Sequence, residues 1–238
     1  LDLSRDEVCE AVIKMITDVL KSAPISYVKW DMNRNMTEIG STAWPAKKQK
    51  EIAHRYMLGL YKILENITSN FPNILFESCS GGGGRFDGGM LYYMPQTWTS
   101  DDTDAIERLM IQEGTSLVYP TSSMGSHVSA VPNHQVHRIT PLNTRGVVAM
   151  AGSFGYELDV TKMNEEEKEE VKKQVEFYKN IRSTVQFGDL YRLKSSFDSN
   201  EAAWMNLSKD GKEVVVSYVK KYAEANVIPR RLKVKALD

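Results

Sequence analysis

The stretch Ile25-Ser26-Tyr27-Val28-Lys29-Trp30-Asp31-Met32-Asn33-Arg34 decides how the rest of the chain is read. It opens just after Pro24, runs as a short apolar strand to Asp31 and ends in charged and amide residues. Lys29 and Asp31 stand two apart, so on a strand they point to the same side. Charged groups at the end of a buried strand are costly to desolvate and need partners. An Asp held beside cations stays ionised, as a carboxylate nucleophile must. A structural ion pair at a strand end is the plainer reading of the same residues.

Working outward, apolar residues at helical spacing (Val8, Val12, Ile13, Ile16, Leu20) predict a helix over 3–22. A longer helical stretch covers 46–69, through Ile52, Tyr56, Leu60 and Ile63. Further strands are expected at 74–77, 96–99 and 116–119, with a possible strand entry at 147–153. Helices are expected at 102–113, capped by Ser100 or Asp101, at 136–150, and at 164–184 with Glu enriched at its start. Alternating strands and helices imply parallel strands with crossover helices. In such folds ligands bind beyond the C-terminal ends of the strands. Three polar clusters each follow a strand, at 31–34, 78–87 and 100–104, so all three can face one cavity.

After residue 185 the texture changes. Strands are expected at 186–193, 202–206 and 213–222, with the turn Ser208-Lys209-Asp210-Gly211 between the last two. No long helix intervenes. The expected domains are therefore an α/β portion over 1–184 and the start of a small antiparallel β domain over 185–238.

In the last of the three clusters, within Trp98-Thr99-Ser100-Asp101-Asp102-Thr103-Asp104, three carboxylates crowd one another, which can leave one protonated as a general acid. Asp104 and Arg108 have the i, i+4 spacing of a helical ion pair. An acidic helix N-terminus, favoured by capping alone, is the bland alternative. Between the two carboxylate clusters lies Glu77-Ser78-Cys79-Ser80-Gly81-Gly82-Gly83-Gly84-Arg85-Phe86-Asp87, whose glycines let backbone approach a ligand closely. No Gly-Lys-Ser/Thr follows, which excludes a Walker phosphate loop. A flexible turn is the plain alternative, and a nucleophilic Cys79 has no nearby His. His127, His134 and His137 read as one loop cluster with Asn133, but their spacing matches no standard zinc pattern, and no metal is assigned.

Composition narrows the partners. Thirty Lys+Arg against 31 Asp+Glu give a formal net charge of -1, unlike a nucleic-acid or anionic-membrane surface. No apolar run approaches the roughly 20 residues that span a bilayer. Cys9 and Cys79 cannot build a disulfide framework and are expected as cytosolic free thiols, so a cytoplasmic location is expected. Leu1 is not a start methionine, and the chain opens inside a helical pattern, so a piece of a longer protein is expected.

Taken together, Lys29-Trp30-Asp31-Met32-Asn33-Arg34, the run from Cys79 to Asp87, and Trp98 through Asp104 to Arg108 resemble the bacterial α-galactosidases of glycoside hydrolase family thirty-six, the melibiase family. The resemblance runs from about residue 1 to the end. It implies the C-terminal part of a (β/α)8 TIM barrel, followed by the start of an antiparallel β domain. It also implies a retaining hydrolysis in which Asp31 is the nucleophile and Asp101 the general acid/base, their carboxyls about 5–5.5 Å apart. Lys29, Cys79 and Gly81 match positions that contact galactose, while Trp98, Asp104 and Arg108 match supporting positions. Asp102 falls where the family often has Asn. The implied substrate is an α-galactoside oligosaccharide such as melibiose or raffinose, with no cofactor. The first three barrel strands and an N-terminal β-sandwich are missing from this chain, so alone it is expected to be inactive. An open barrel edge favours a homo-oligomer. Rival readings are a galactosyl transferase of the raffinose- or stachyose-synthase type, a non-catalytic sugar-binding module and a metal-dependent hydrolase.

Overall fold

A computed structural model describes residues 1–33, 36–226 and 231–234. Its contacts divide the chain into two units, 1–95 and 96–238. Arg34 of the first motif lies outside the described residues.

The first unit contains α1 (Asp6–Lys21), β1 (Tyr27–Asp31), α2 (Ile52–Asn70), β2 (Leu75–Cys79) and α3 (Gly88–Tyr93). A 3-10 turn over Ala46–Glu51 leads into α2, so the long helical stretch expected from 46 has a tighter first turn. Strands β1 and β2 run parallel, with Lys29 opposite Glu77 and Asp31 opposite Cys79. Burial alternates along β1. Val28 and Trp30 pack on a core built from Val12 and Leu20 of α1, Ile63, Leu64 and Ile67 of α2, and Phe76 of β2. Tyr27, Lys29 and Asp31 therefore share the opposite face. The helix α3 escapes the sequence pattern because Gly88 and Gly89 open it. Asp87 supplies its start by accepting from the Met90 amide at 2.8 Å.

The second unit holds β3 (Gln96–Trp98), α4 (Ala105–Ser116), β4 (Met124–Ser129), α5 (Leu142–Ala149), β5 (Ser153–Glu157) and α6 (Glu165–Phe187). Strands β3, β4 and β5 are parallel neighbours. Then come β6 (Asp189–Lys194), β7 (Glu201–Leu207) and β8 (Val214–Lys220), an antiparallel meander. Leu109 of α4 and Val148 of α5 pack with Ala202 of β7 and Val219 of β8, so helices fill the space under this meander. Helix α6 begins with a reciprocal cap between Asn164 and Glu167.

Several expectations fail here: the helix expected over 136–150 covers only Leu142–Ala149, and the strand expected from 186 begins at Asp189, after α6 ends at Phe187. Residues 116–119 are not a strand: they close the end of α4, with the Val118 and Tyr119 amides donating to the Thr115 carbonyl, and Leu117 and Val118 are exposed. The strand is Met124–Ser129, whose Gly, Ser and His content hides it. Its polar Ser126 is fully buried because its hydroxyl donates to Gln112 of α4 at 2.5 Å. Helix α4 also starts later than expected, at Ala105, and its cap is Asp104 rather than Ser100 or Asp101. Among the described residues, no helix is long and apolar enough to cross a membrane.

Helices α1 and α2 meet at Gly59, where an added methyl would lie 1.9 Å from the Leu3 carbonyl oxygen and 3.0 Å from Cys9 Sγ. Gly59→Ala gains up to about 1 kcal/mol of helix propensity. The overlap outweighs it, so chemical denaturation is expected to show a net loss of about 1–3 kcal/mol.

Candidate active site

The shared face of β1 and β2 carries two rungs of functional side chains. On one, Lys29 Nζ lies 3.9 Å from Glu77 Oε1, and Glu77 is only 1% exposed. The Tyr27 hydroxyl donates to the other oxygen of that carboxylate. On the next rung, Asp31 is the register partner of Cys79, a buried thiol. Burial pushes the Cys79 thiol up to about 11, against the pull of the Gly82 backbone amide, and its hydrogen bond to Asp31 pushes the same way. Cys79 is therefore a neutral donor beside a carboxylate and not a nucleophile.

The glycine-rich segment folds back over this rung. Gly81 and Gly82 adopt φ of +55° and +79°, the left-handed region that side chains avoid. Gly84 returns its amide to the Ser80 carbonyl at 3.2 Å. Asn33 ties the segment to the first strand: its Nδ2 donates to Asp31 Oδ2 at 3.1 Å, and its Oδ1 accepts from the Gly81 amide at 2.6 Å. The Ser80 hydroxyl also donates to the Met32 carbonyl at 2.6 Å. Lys29, Asp31, Cys79 and Gly81, four of the residues singled out in the sequence, thus form one constellation. Asn33 and Glu77 were not assigned to it. A carboxylate in the middle of a buried strand, two residues before Cys79, was the available signal for Glu77.

In the second unit, Asp101 is exposed at a bend three residues past Trp98. Its neighbours are committed to backbone: the Asp102 carboxylate accepts from the Asp104 amide at 3.1 Å, and Asp104 Oδ2 accepts from the Ile106 and Glu107 amides at 3.0 and 3.2 Å. The expected Asp104–Arg108 side-chain pair does not form. A carboxylate capping its own helix points back over the N-terminus, away from the i+4 position, and Asp104 pairs with Arg138 instead. Arg108 stays inside. Its guanidinium donates to the Ser100 carbonyl at 3.2 Å, the Gly125 carbonyl at 2.8 Å and Gln112 Oε1 at 3.3 Å, and lies 4.7 Å from the Trp98 ring centre. Burial lowers it to about 10, with Asp102 and Glu157 opposing. Arg108 thereby anchors the residue immediately before Asp101 to β4. Trp98, 2% exposed, stacks on His127 at 4.7 Å.

The histidine cluster dissolves. His127 is a strand residue of β4, 3.8 Å from Glu157, while His134 and His137 are exposed in the following loop. Among the described residues, no three His, Cys, Asp or Glu side chains come together as a metal site.

Residues 1–188 match the Melibiase family model, and 201–238 match the model of the glycosyl hydrolase family 36 C-terminal domain. The chain belongs to the melibiase family. It is 65% identical over its whole length to alpha-galactosidase AgaA of Geobacillus stearothermophilus, covering 33% of that protein. It is 53% identical to alpha-galactosidase Mel36A of Lactobacillus acidophilus, again over its whole length, covering 32% of it. Crystal structures of the Geobacillus enzyme superpose with a TM-score of 0.98 over all of this chain and 33% of theirs. One carries an Asp→Asn substitution and holds raffinose, and another carries an Asp→Ala substitution and holds stachyose. The chain thus spans about a third of the length of the relatives it matches. Its fold is that of the C-terminal part of a (β/α)8 barrel followed by an antiparallel sheet.

Asp104→Ala removes two cap bonds and leaves Arg138 with Glu107 alone of its two carboxylate partners, so thermal or denaturant unfolding is expected to show a loss of about 2–4 kcal/mol. Asp104→Asn keeps the capping oxygen and is expected to lose about half as much. For Cys79, folding holds the thiol proton to higher pH than the unfolded chain does. Its contribution to stability is full below pH 9.0 and is lost as pH rises toward about 11. Alkylation of Cys79 by iodoacetamide in the native protein should accordingly stay slow at pH 9, where an ordinary thiol reacts readily.

Proposed function

We propose that the protein carrying this chain is a retaining α-galactosidase acting on terminal α-galactosyl residues of oligosaccharides such as melibiose and raffinose. One observation carries the reading. The two aspartates substituted in the raffinose- and stachyose-bound Geobacillus structures are separated in sequence by the same interval as Asp31 and Asp101. In this reading Asp31 attacks the anomeric carbon as the glycosidic C–O bond breaks, and Asp101 gives its proton to the departing oxygen. The product is a galactosyl ester on Asp31. Asp101 then takes a proton from water, whose oxygen displaces Asp31 and restores the original anomeric configuration.

The local geometry of each unit fits these roles. Asp31 is held by Asn33 and by a thiol that donates without ionising. Asp101 follows a segment fixed by a buried arginine, while Asp102 and Asp104 are occupied in shaping the turn. Lys29 stands on the same face as Asp31, where sugar hydroxyls need donors, and the Gly81 backbone lies close to it through Asn33. We also place the protein in the cytoplasm, which suits two free cysteines, as a homo-oligomer whose barrel portion here is 1–184 and whose β domain starts at 185.

The test is hydrolysis of an aryl α-galactoside by the full-length protein beside Asp31→Ala, with the anomer released followed by NMR. Turnover with α-galactose as first product, and loss of at least about 1,000-fold in the variant, is expected. Comparable turnover in both removes Asp31 from the mechanism, and β-galactose as first product removes the double displacement.

A further inference from the structure

The face shared by β1 and β2 holds one charged group that the double displacement does not use. Glu77 sits in the middle of β2 at 1% exposure, directly across the register from Lys29. Parallel pairing puts both side chains on one face, and Lys29 Nζ lies 3.9 Å from Glu77 Oε1. The other carboxylate oxygen accepts from Tyr27, two residues before Lys29 on the same face. Burial, and then this bond to Glu77, push the Tyr27 phenol far above its usual value, so it remains a donor.

The two partners of the ion pair differ in freedom. Glu77 is enclosed and fixed by a phenol, whereas the Lys29 side chain is 36% exposed on a flexible four-carbon stem. The buried group therefore sets the place of the exposed one. Lys29 also shares its face with Asp31, two residues on. Without a carboxylate on β2, the nearest anion along its own strand would be the nucleophile.

We propose that Glu77 is a positioning residue for Lys29. It draws the ammonium toward β2, where it can meet a hydroxyl of the sugar, and away from Asp31, whose attacking oxygen it would otherwise cover. The inference rests on the galactosidase reading above and adds to it a residue acting through Lys29.

The experiment compares wild type, Glu77→Gln, Lys29→Met and the double variant of the full-length protein. It measures the affinity of each for 1-deoxygalactonojirimycin, the ligand of another Geobacillus AgaA crystal structure, and kcat/KM on an aryl α-galactoside. Glu77→Gln is expected to weaken both by about tenfold in the wild-type background and by less than about twofold when Lys29 is already Met. A purely structural role for Glu77 would give the same factor in both backgrounds, and that result, or no loss at all, overturns the proposal. Should Glu77→Gln fail to fold, Tyr27→Phe keeps the carboxylate and removes one of its donors. Its smaller loss is expected to vanish in the Lys29→Met background, and persistence there overturns the proposal. A wild-type protein that neither binds the iminosugar nor hydrolyses the galactoside defeats the galactosidase reading itself. One that does both while Glu77 and Lys29 act additively defeats the positioning role alone.

Discussion

Parallel pairing of β1 with β2 in a single register is the constraint on which the Asp31 side of the candidate site depends. It sets Lys29 beside Glu77 and Asp31 beside Cys79, and turns all four away from the helices that bury Val28, Trp30 and Phe76. A slip of one residue would exchange the faces, driving the Lys and Asp into the helical core and the Trp outward. The apolar residues thus fix the polar ones: the core formed by α1 and α2 specifies which side of β1 meets the helices, and the chemistry takes the side that is left.

Loop geometry then refines what register begins. Asn33 spans from the Asp31 carboxylate to the Gly81 amide, joining the end of β1 to the glycine-rich segment with two hydrogen bonds. The positive φ of Gly81 and Gly82 lets that segment turn back sharply enough to receive them. In the second unit the same task falls to buried polar side chains. Asp102 and Asp104 fold onto backbone amides, and Arg108 reaches carbonyls on two different segments. Asp31 is held by side chains that bond to it directly, whereas the carboxylates next to Asp101 accept from backbone amides.

Much of this was legible in the residues. The strand ending at Asp31, the glycine run after Cys79 and the acidic turn after Trp98 could all be placed from alternation, spacing and the motif resemblance. Three features were not. Met124–Ser129 reads as polar because its side chains are satisfied by tertiary partners such as Gln112, which a one-dimensional pattern does not contain. Leu117 and Val118 read as a buried strand although both are exposed, since local hydrophobicity does not report position on a surface. The partner of Asp104 was misjudged because i, i+4 spacing describes helix interiors, whereas a cap residue directs its side chain elsewhere. Arg138, the partner it takes, is 34 residues away in sequence.

Arg108 is secured by two peptide carbonyls, a primary amide and an indole ring, none of which gains or loses a proton in the range where proteins remain folded. An arginine tied to carboxylates would let go as those groups became neutral in acid. The direct contacts of Arg108 are with neutral groups, and Asp102 and Glu157 attract the guanidinium only at longer range. The residue before Asp101 is therefore moored by fittings indifferent to acidity.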